Sequence, residues 1–121
     1  MIGWFYLALA IACEIAGTTC MKLSESFTRL VPSVLVFILY GGTLAAMTMA
    51  MKYLEIGLVY AVWSGVGTAI IAMIGIVVFN ESLSAPKIAC IALIIAGVVG
   101  LNLASQPPPP APSGLIDGGE R

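Results

Sequence analysis

Four long apolar stretches, separated by short polar ones, dominate this chain. The first covers about residues 3–21 and carries one charge, Glu14; the second, 30–51, and the third, 57–79, carry none. The fourth follows Pro86 and Lys87 and runs to about residue 104. At 1.5 Å rise per residue each is long enough to cross a hydrocarbon core of about 30 Å, the fourth being the shortest. The pattern predicts transmembrane helices over about 3–21, 30–51, 57–79 and 86–104. Pro86 suits a first helical turn, where its missing N–H costs nothing. The links at 22–29, 52–56 and 80–85 are short, so consecutive helices become antiparallel neighbours. The expected fold is an all-α membrane protein with one four-helix domain over 1–104. Beyond it, SQPPPPAPSGLIDGGER reads as a Pro-rich disordered or polyproline tail, 105–121, with polyproline recognition as its functional alternative. The amino terminus lacks the positive flank of a secretory signal and reads as a retained first helix.

Composition narrows the class. Hydrophobic residues make up 60% of the chain and charged residues 9%, far from a soluble domain. A net charge of −1 without a basic cluster argues against nucleic acid. With no His, and with Cys13, Cys20 and Cys90 all inside apolar segments, no zinc, haem or iron–sulfur site is expected. The cysteines read as small packing residues. No catalytic triad, phosphate loop or dinucleotide fingerprint occurs, so the expectation is no enzyme, no cofactor and no metal.

Glu14 is the exception to the apolar pattern. It lies roughly 16 Å along the first helix, near the bilayer midplane. A charged acid at that depth costs on the order of 3 kcal/mol even on the insertion scale, and no intramembrane Lys or Arg exists to offset it. A lone intramembrane acid points to proton or cation handling. Its helical neighbours Ala10, Ile11, Gly17 and Thr18, with Leu7 one turn further, are mostly small. Such a face leaves room for a sizeable ligand, or else for close approach of another helix.

On the third helix Tyr60, Trp63, Ser64 and Gly67 share a stripe. Tyr60 is near enough to the end to belong to an interfacial belt, whereas Trp63 lies deeper and its N–H needs a partner. Aromatic faces beside a carboxylate make a cation–π site. Tyr40 is mid-membrane on the second helix. Gly65 and Gly67 supply either a flexible kink or a close packing spot. On the fourth helix Ala92, Ala96 and Gly100 form a small-residue stripe with Cys90 and Gly97 on a neighbouring face, a pattern for helix association.

Alternating loops place Lys22, Arg29 and Lys87 on one side and Lys52 and Arg121 on the other. So weak a bias lets a chain insert in either orientation, which would permit an antiparallel homodimer.

Over residues 4–104 the chain resembles the small multidrug resistance family, on its EmrE-like multidrug-exporter branch. The resemblance rests on CEIAGTTCMKLSESFTRLVPS (13–33) and GLVYAVWSGVGTAI (57–70). It implies an antiparallel, dual-topology homodimer of four-helix subunits in the cell (inner) membrane, coupling protons to export. Glu14 matches the family's proton- and substrate-binding glutamate. Tyr40, Tyr60 and Trp63 match aromatic residues of the binding chamber. Leu7, Ala10, Ile11, Gly17 and Thr18 match its small first-helix face, and Gly65 and Gly67 the third-helix kink. Gly97 matches a dimer-contact glycine, while Cys90 stands where the family has another glycine. The guanidinium-exporting branch typically has a Trp shortly after the glutamate; here Ile15, Ala16, Gly17 and Thr18 follow.

The resulting expectation is a proton-coupled antiporter for hydrophobic or aromatic cations such as quaternary ammonium compounds. Its partners would be lipophilic organic cations, protons, the lipid bilayer and a second copy of itself. The rivals are an exporter of guanidinium or polyamines, a non-transporting assembly or proton-leak subunit, and one half of an obligate hetero-pair.

Overall fold

The computed structural model describes residues 1–105; the Pro-rich segment read as a tail lies, but for Ser105, outside the described residues. Four helices follow in order: α1 (Ile2–Leu23), α2 (Leu30–Ala50), α3 (Ile56–Phe79) and α4 (Ala85–Ala104). Their ends fall within two residues of the apolar spans, and all four are long and apolar enough to cross a membrane. This is the four-span, all-helical membrane protein that the hydropathy pattern predicts.

Local chemistry sets the helix ends. Pro86 sits in the first turn of α4, where no N–H is required. Asn80 terminates α3 in the left-handed region at φ 52°, a conformation that asparagine tolerates better than most residues. Between α1 and α2 the chain does something the sequence does not announce. Glu25, Ser26 and Phe27 take φ values of 49°, 60° and 65° in succession, without a glycine among them. Each such residue costs roughly 1–2 kcal/mol. Ser24, fully buried, holds the turn: its hydroxyl donates to Met21 O (2.7 Å) and accepts the N–H of Phe27 (3.2 Å). Its carbonyl accepts the N–H of Arg29 at 3.1 Å.

The packed core lies between α1, α2 and α3. Leu7, Ala10 and Ile11 of α1 meet Ala46, Met47 and Ala50 of α2 and Val59 of α3. The α1–α2 pair is further tied by the buried Thr43, whose hydroxyl reaches Leu39 O (3.0 Å) and, across to α1, Ala10 O (3.4 Å). Interhelical hydrogen bonds of this kind are worth about 0.6–2 kcal/mol in a membrane. Among the described residues helix α4 packs chiefly on α3 and buries no residue of its own within the subunit.

Gly65 is what lets α4 reach α3. A Cβ there would run into the Val98 side chain, with Ile94 Cγ2 at 3.2 Å. Gly41 on α2, by contrast, has nothing within 4 Å of where a Cβ would stand. Gly65→Ala should therefore destabilise the subunit by about 1–3 kcal/mol through overpacking. Gly41→Ala should be neutral or stabilise by up to about 1 kcal/mol through helix propensity. Helical circular dichroism during SDS titration of the detergent-solubilised protein reads both, and equal shifts would contradict this packing.

Candidate functional site

Helices α1 and α3 border a cleft of about 430 Å³. Its walls include Glu14, Thr18 and Lys22 from α1, and Trp63, Gly67, Ile71, Gly75 and Phe79 from α3. Four-residue spacing puts each set on one helical stripe. Ser64 and Thr68 add hydroxyls, and Glu81, just beyond α3, closes one end.

The two oxygens of Glu14 have different surroundings. Thr18, one turn on, donates its hydroxyl to Oε1 at 3.0 Å. The Thr18 hydroxyl also lies 2.9 Å from the phenol oxygen of Tyr40 on α2. Threonine has a single hydroxyl proton, so when Thr18 donates to the carboxylate, Tyr40 must donate to Thr18. A chain of two hydrogen bonds thus joins α2 to the acid. Gly17 seats it: a Cβ there would come within 2.9 Å of Tyr40 Cδ2, so only a bare backbone lets the ring lie across α1.

Oε2 faces α3. A Cβ on Gly67 would stand 3.1 Å from it, closer than nearly all real contacts of that kind. At this position α3 presents backbone and no side chain to the carboxylate. Trp63, one turn earlier, buries its indole N–H with no hydrogen-bond acceptor among the described residues. Its ring lies 5.4 Å from that of Tyr60 at an interplanar angle of 57°. A buried donor left unpaired costs about 1–3 kcal/mol.

At the far end Lys22 pairs with Glu81, and its ammonium lies over the Phe79 ring, 4.3 Å from the centroid. The Glu81 carboxyl is held below the ordinary carboxylate range, first by the hydrogen bond from Lys22 and then by that residue's charge. Gly75 makes room for it, since a Cβ there would sit 2.7 Å from Glu81 Oε2.

Of the residues singled out from sequence, the cleft brings together Glu14, Thr18, Trp63 and Gly67. Tyr40 joins them through Thr18, with Gly17 buried under its ring. Leu7, Ala10 and Ile11 instead fill the core between helices. Tyr60 contacts Trp63 but is 58% exposed on the subunit's outer side. Helix α3 continues unbroken through Gly65 and Gly67, and each glycine stands where a neighbour approaches closely. Gly97 is exposed and rims a separate groove between α3 and α4, and Cys90 is exposed on α4. In the sequence Lys22 reads only as a topology signal, and Glu81 is not singled out. Extending the stripe Glu14–Thr18 by four residues reaches Lys22, and extending Trp63–Gly67 by fours reaches Phe79.

A family model described as "Small Multidrug Resistance protein" matches residues 2–94. The chain belongs to the Small Multidrug Resistance family. The multidrug transporter EmrE of Escherichia coli K12 is 42% identical, over 90% of this chain and 99% of that protein. The quaternary ammonium compound-resistance protein QacE of Escherichia coli is 41% identical, over 88% and 96%. A guanidinium exporter of Yersinia pseudotuberculosis is 38% identical, over 86% and 100%. Membership in the Small Multidrug Resistance family makes this a multi-pass cell-membrane transporter of the multidrug-efflux type and not an enzyme. Overall identity barely separates drug and guanidinium exporters, so choice of substrate rests on the site.

The Lys22–Glu81 pair has a defined pH signature. The folded state lowers the pKa of Glu81, so its contribution to stability is complete above the unfolded carboxylate value. That contribution fades as pH falls through the lower folded value. Glu81→Gln should thus be less stable than the parent at neutral pH. The two should converge on acidification below the usual carboxylate range, as SDS titrations at stepped pH would measure. A gap that persists in acid would show that the pair does not set it.

Proposed function

We propose that the protein is a proton-coupled antiporter that exports hydrophobic, often aromatic, organic cations such as quaternary ammonium compounds, acting as an antiparallel homodimer. The observation that carries this reading is the Glu14 carboxylate, tied at Oε1 and facing a bare glycine wall at Oε2, in a cleft with the Trp63 ring. A desolvated carboxylate accepts either a proton or a cation as the charge that neutralises it, and mutual exclusion of the two converts a proton gradient into export. Trp63 adds an aromatic face for the cation, with Tyr60 beside it. The names of the relatives QacE and EmrE fit this class of substrate. The residues after Glu14, which lack the Trp typical of the guanidinium-exporting branch, favour the roomier site.

Two kinds of support bear on the homodimer. The Lys and Arg bias across the membrane is weak, as dual insertion requires. Among the described residues helix α4 buries nothing inside its own subunit, and its small-residue face is exposed and open to a second copy. Tags on one gene product detected at both membrane faces are the expected result; a single orientation would exclude the antiparallel arrangement.

The transport reading is tested by titrating tetraphenylphosphonium binding against pH for purified wild type and Glu14→Gln. Wild-type affinity should weaken on acidification, with protons released on binding at neutral pH. Glu14→Gln should lose about 2–5 kcal/mol of affinity and its pH dependence, the usual cost of removing one partner of a desolvated charge pair. Intact binding in Glu14→Gln would favour a non-transporting subunit. Proton release with guanidinium but not tetraphenylphosphonium would favour the guanidinium exporter. Gly67→Ala should weaken cation binding by about 1–3 kcal/mol, because its methyl crowds Oε2. Unchanged affinity there would mean that the cation does not approach through the α3 side.

A further inference from the structure

We infer that the far end of the cleft is a second organic-cation subsite, formed by the Glu81 carboxylate and the Phe79 ring, with the ammonium of Lys22 as its built-in occupant. This rests on the reading that the cleft takes organic cations.

Three observations converge. Lys22 Nζ is bound by Glu81 Oε1 and at the same time lies over the face of Phe79, 4.3 Å from its centroid. A carboxylate and an aromatic face placed around one ammonium are what recognises an organic cation. Second, Phe79, Glu81 and Lys22 line the same cleft as Glu14 and Trp63, so the subsite is continuous with the central acid. Third, the pair is half exposed, with side-chain exposures of 49% and 46%. Water screens ion pairs so exposed and leaves them weak, so an entering cation can take Lys22's place at little cost. The backbone is shaped for it, because Gly75 leaves free the space that the Glu81 carboxylate fills.

A cation would exchange with Lys22 at the mouth and then move to Glu14. The flexible stem of Lys22 allows the ammonium to swing aside without leaving the helix. Docked Lys22 neutralises the Glu81 carboxylate, with the charge of Lys87 also felt there, and swinging Lys22 aside frees that carboxylate for another cation.

The test uses full-length purified protein and tetraphenylphosphonium at neutral pH. Lys22→Gln should speed association roughly three- to tenfold, the low end of electrostatic steering effects. Arg29→Gln, which removes an equal charge from the exposed pair with Glu25, should change it less than about twofold. In a Glu14→Gln background, adding Lys22→Gln should restore weak binding, at least about fivefold tighter than Glu14→Gln alone. Adding Phe79→Leu or Glu81→Gln should abolish that restored binding. Equal affinities for Glu14→Gln and Glu14→Gln/Lys22→Gln, with wild type binding normally, would overturn the subsite and leave the central site standing. Failure of wild type to bind at all would sink the class reading and the subsite together. Should Lys22→Gln fail to fold, Phe79→Leu keeps the ion pair and decides the matter. Slowing of association about two- to fivefold supports the subsite, and an unchanged rate overturns it.

Discussion

A carboxyl placed midway along an apolar helix has no bulk water to satisfy it, so the protein must supply the partners, and the fold around Glu14 is arranged to do so sparingly. One oxygen receives a hydroxyl from the next helical turn. The other looks at a glycine. Thr18 is the side-chain donor that the carboxylate has among the described residues. The second oxygen stands beside bare backbone, which is the feature the proposed exchange of proton and cation draws on.

That constraint propagates outward through small residues. Gly17 allows Tyr40 to lie across α1, and this places its phenol beside Thr18. Gly67 and Gly75 clear the α3 wall opposite the two acids, and Gly65 turns the other side of the same helix towards α4. Helix α3 thus carries glycines towards different neighbours within three turns. Lipid offers little hydrophobic drive between helices, so close approach of this kind is a main source of association energy. Bulky residues fill the core beside these small ones, with Leu7, Met47 and Val59 buried between α1, α2 and α3.

Much of this was legible in the sequence, and the reasons for success and failure are physical. Helix positions followed from hydropathy, because a membrane-crossing segment must be both long and apolar. Glu14 stood out because its cost is large against an uncharged background. Leu7, Ala10 and Ile11 could not be sorted between ligand face and core, because a small face serves either, and within the subunit they pack against α2 and α3. Gly65 and Gly67 offered the same ambiguity between bending and clearance. Lys22 and Glu81 were hidden for another reason. They are 59 positions apart in sequence, and the charge rule for loops counts Lys22 as a lone topology signal and Glu81 hardly at all. The left-handed turn at Glu25–Phe27 has no sequence mark either, since its hub is an ordinary serine.

The two hydrogen bonds that run from Tyr40 through Thr18 to Glu14 have a polarity, and it is set by the acid. With the carboxylate ionised, both protons point towards it. Once Oε1 carries a proton of its own, it becomes the donor, Thr18 turns its hydroxyl to the phenol, and the proton of Tyr40 is released to face elsewhere. A proton taken up at Oε1, unlike one at Oε2, would therefore rewrite what α2 offers its surroundings, with no helix having moved.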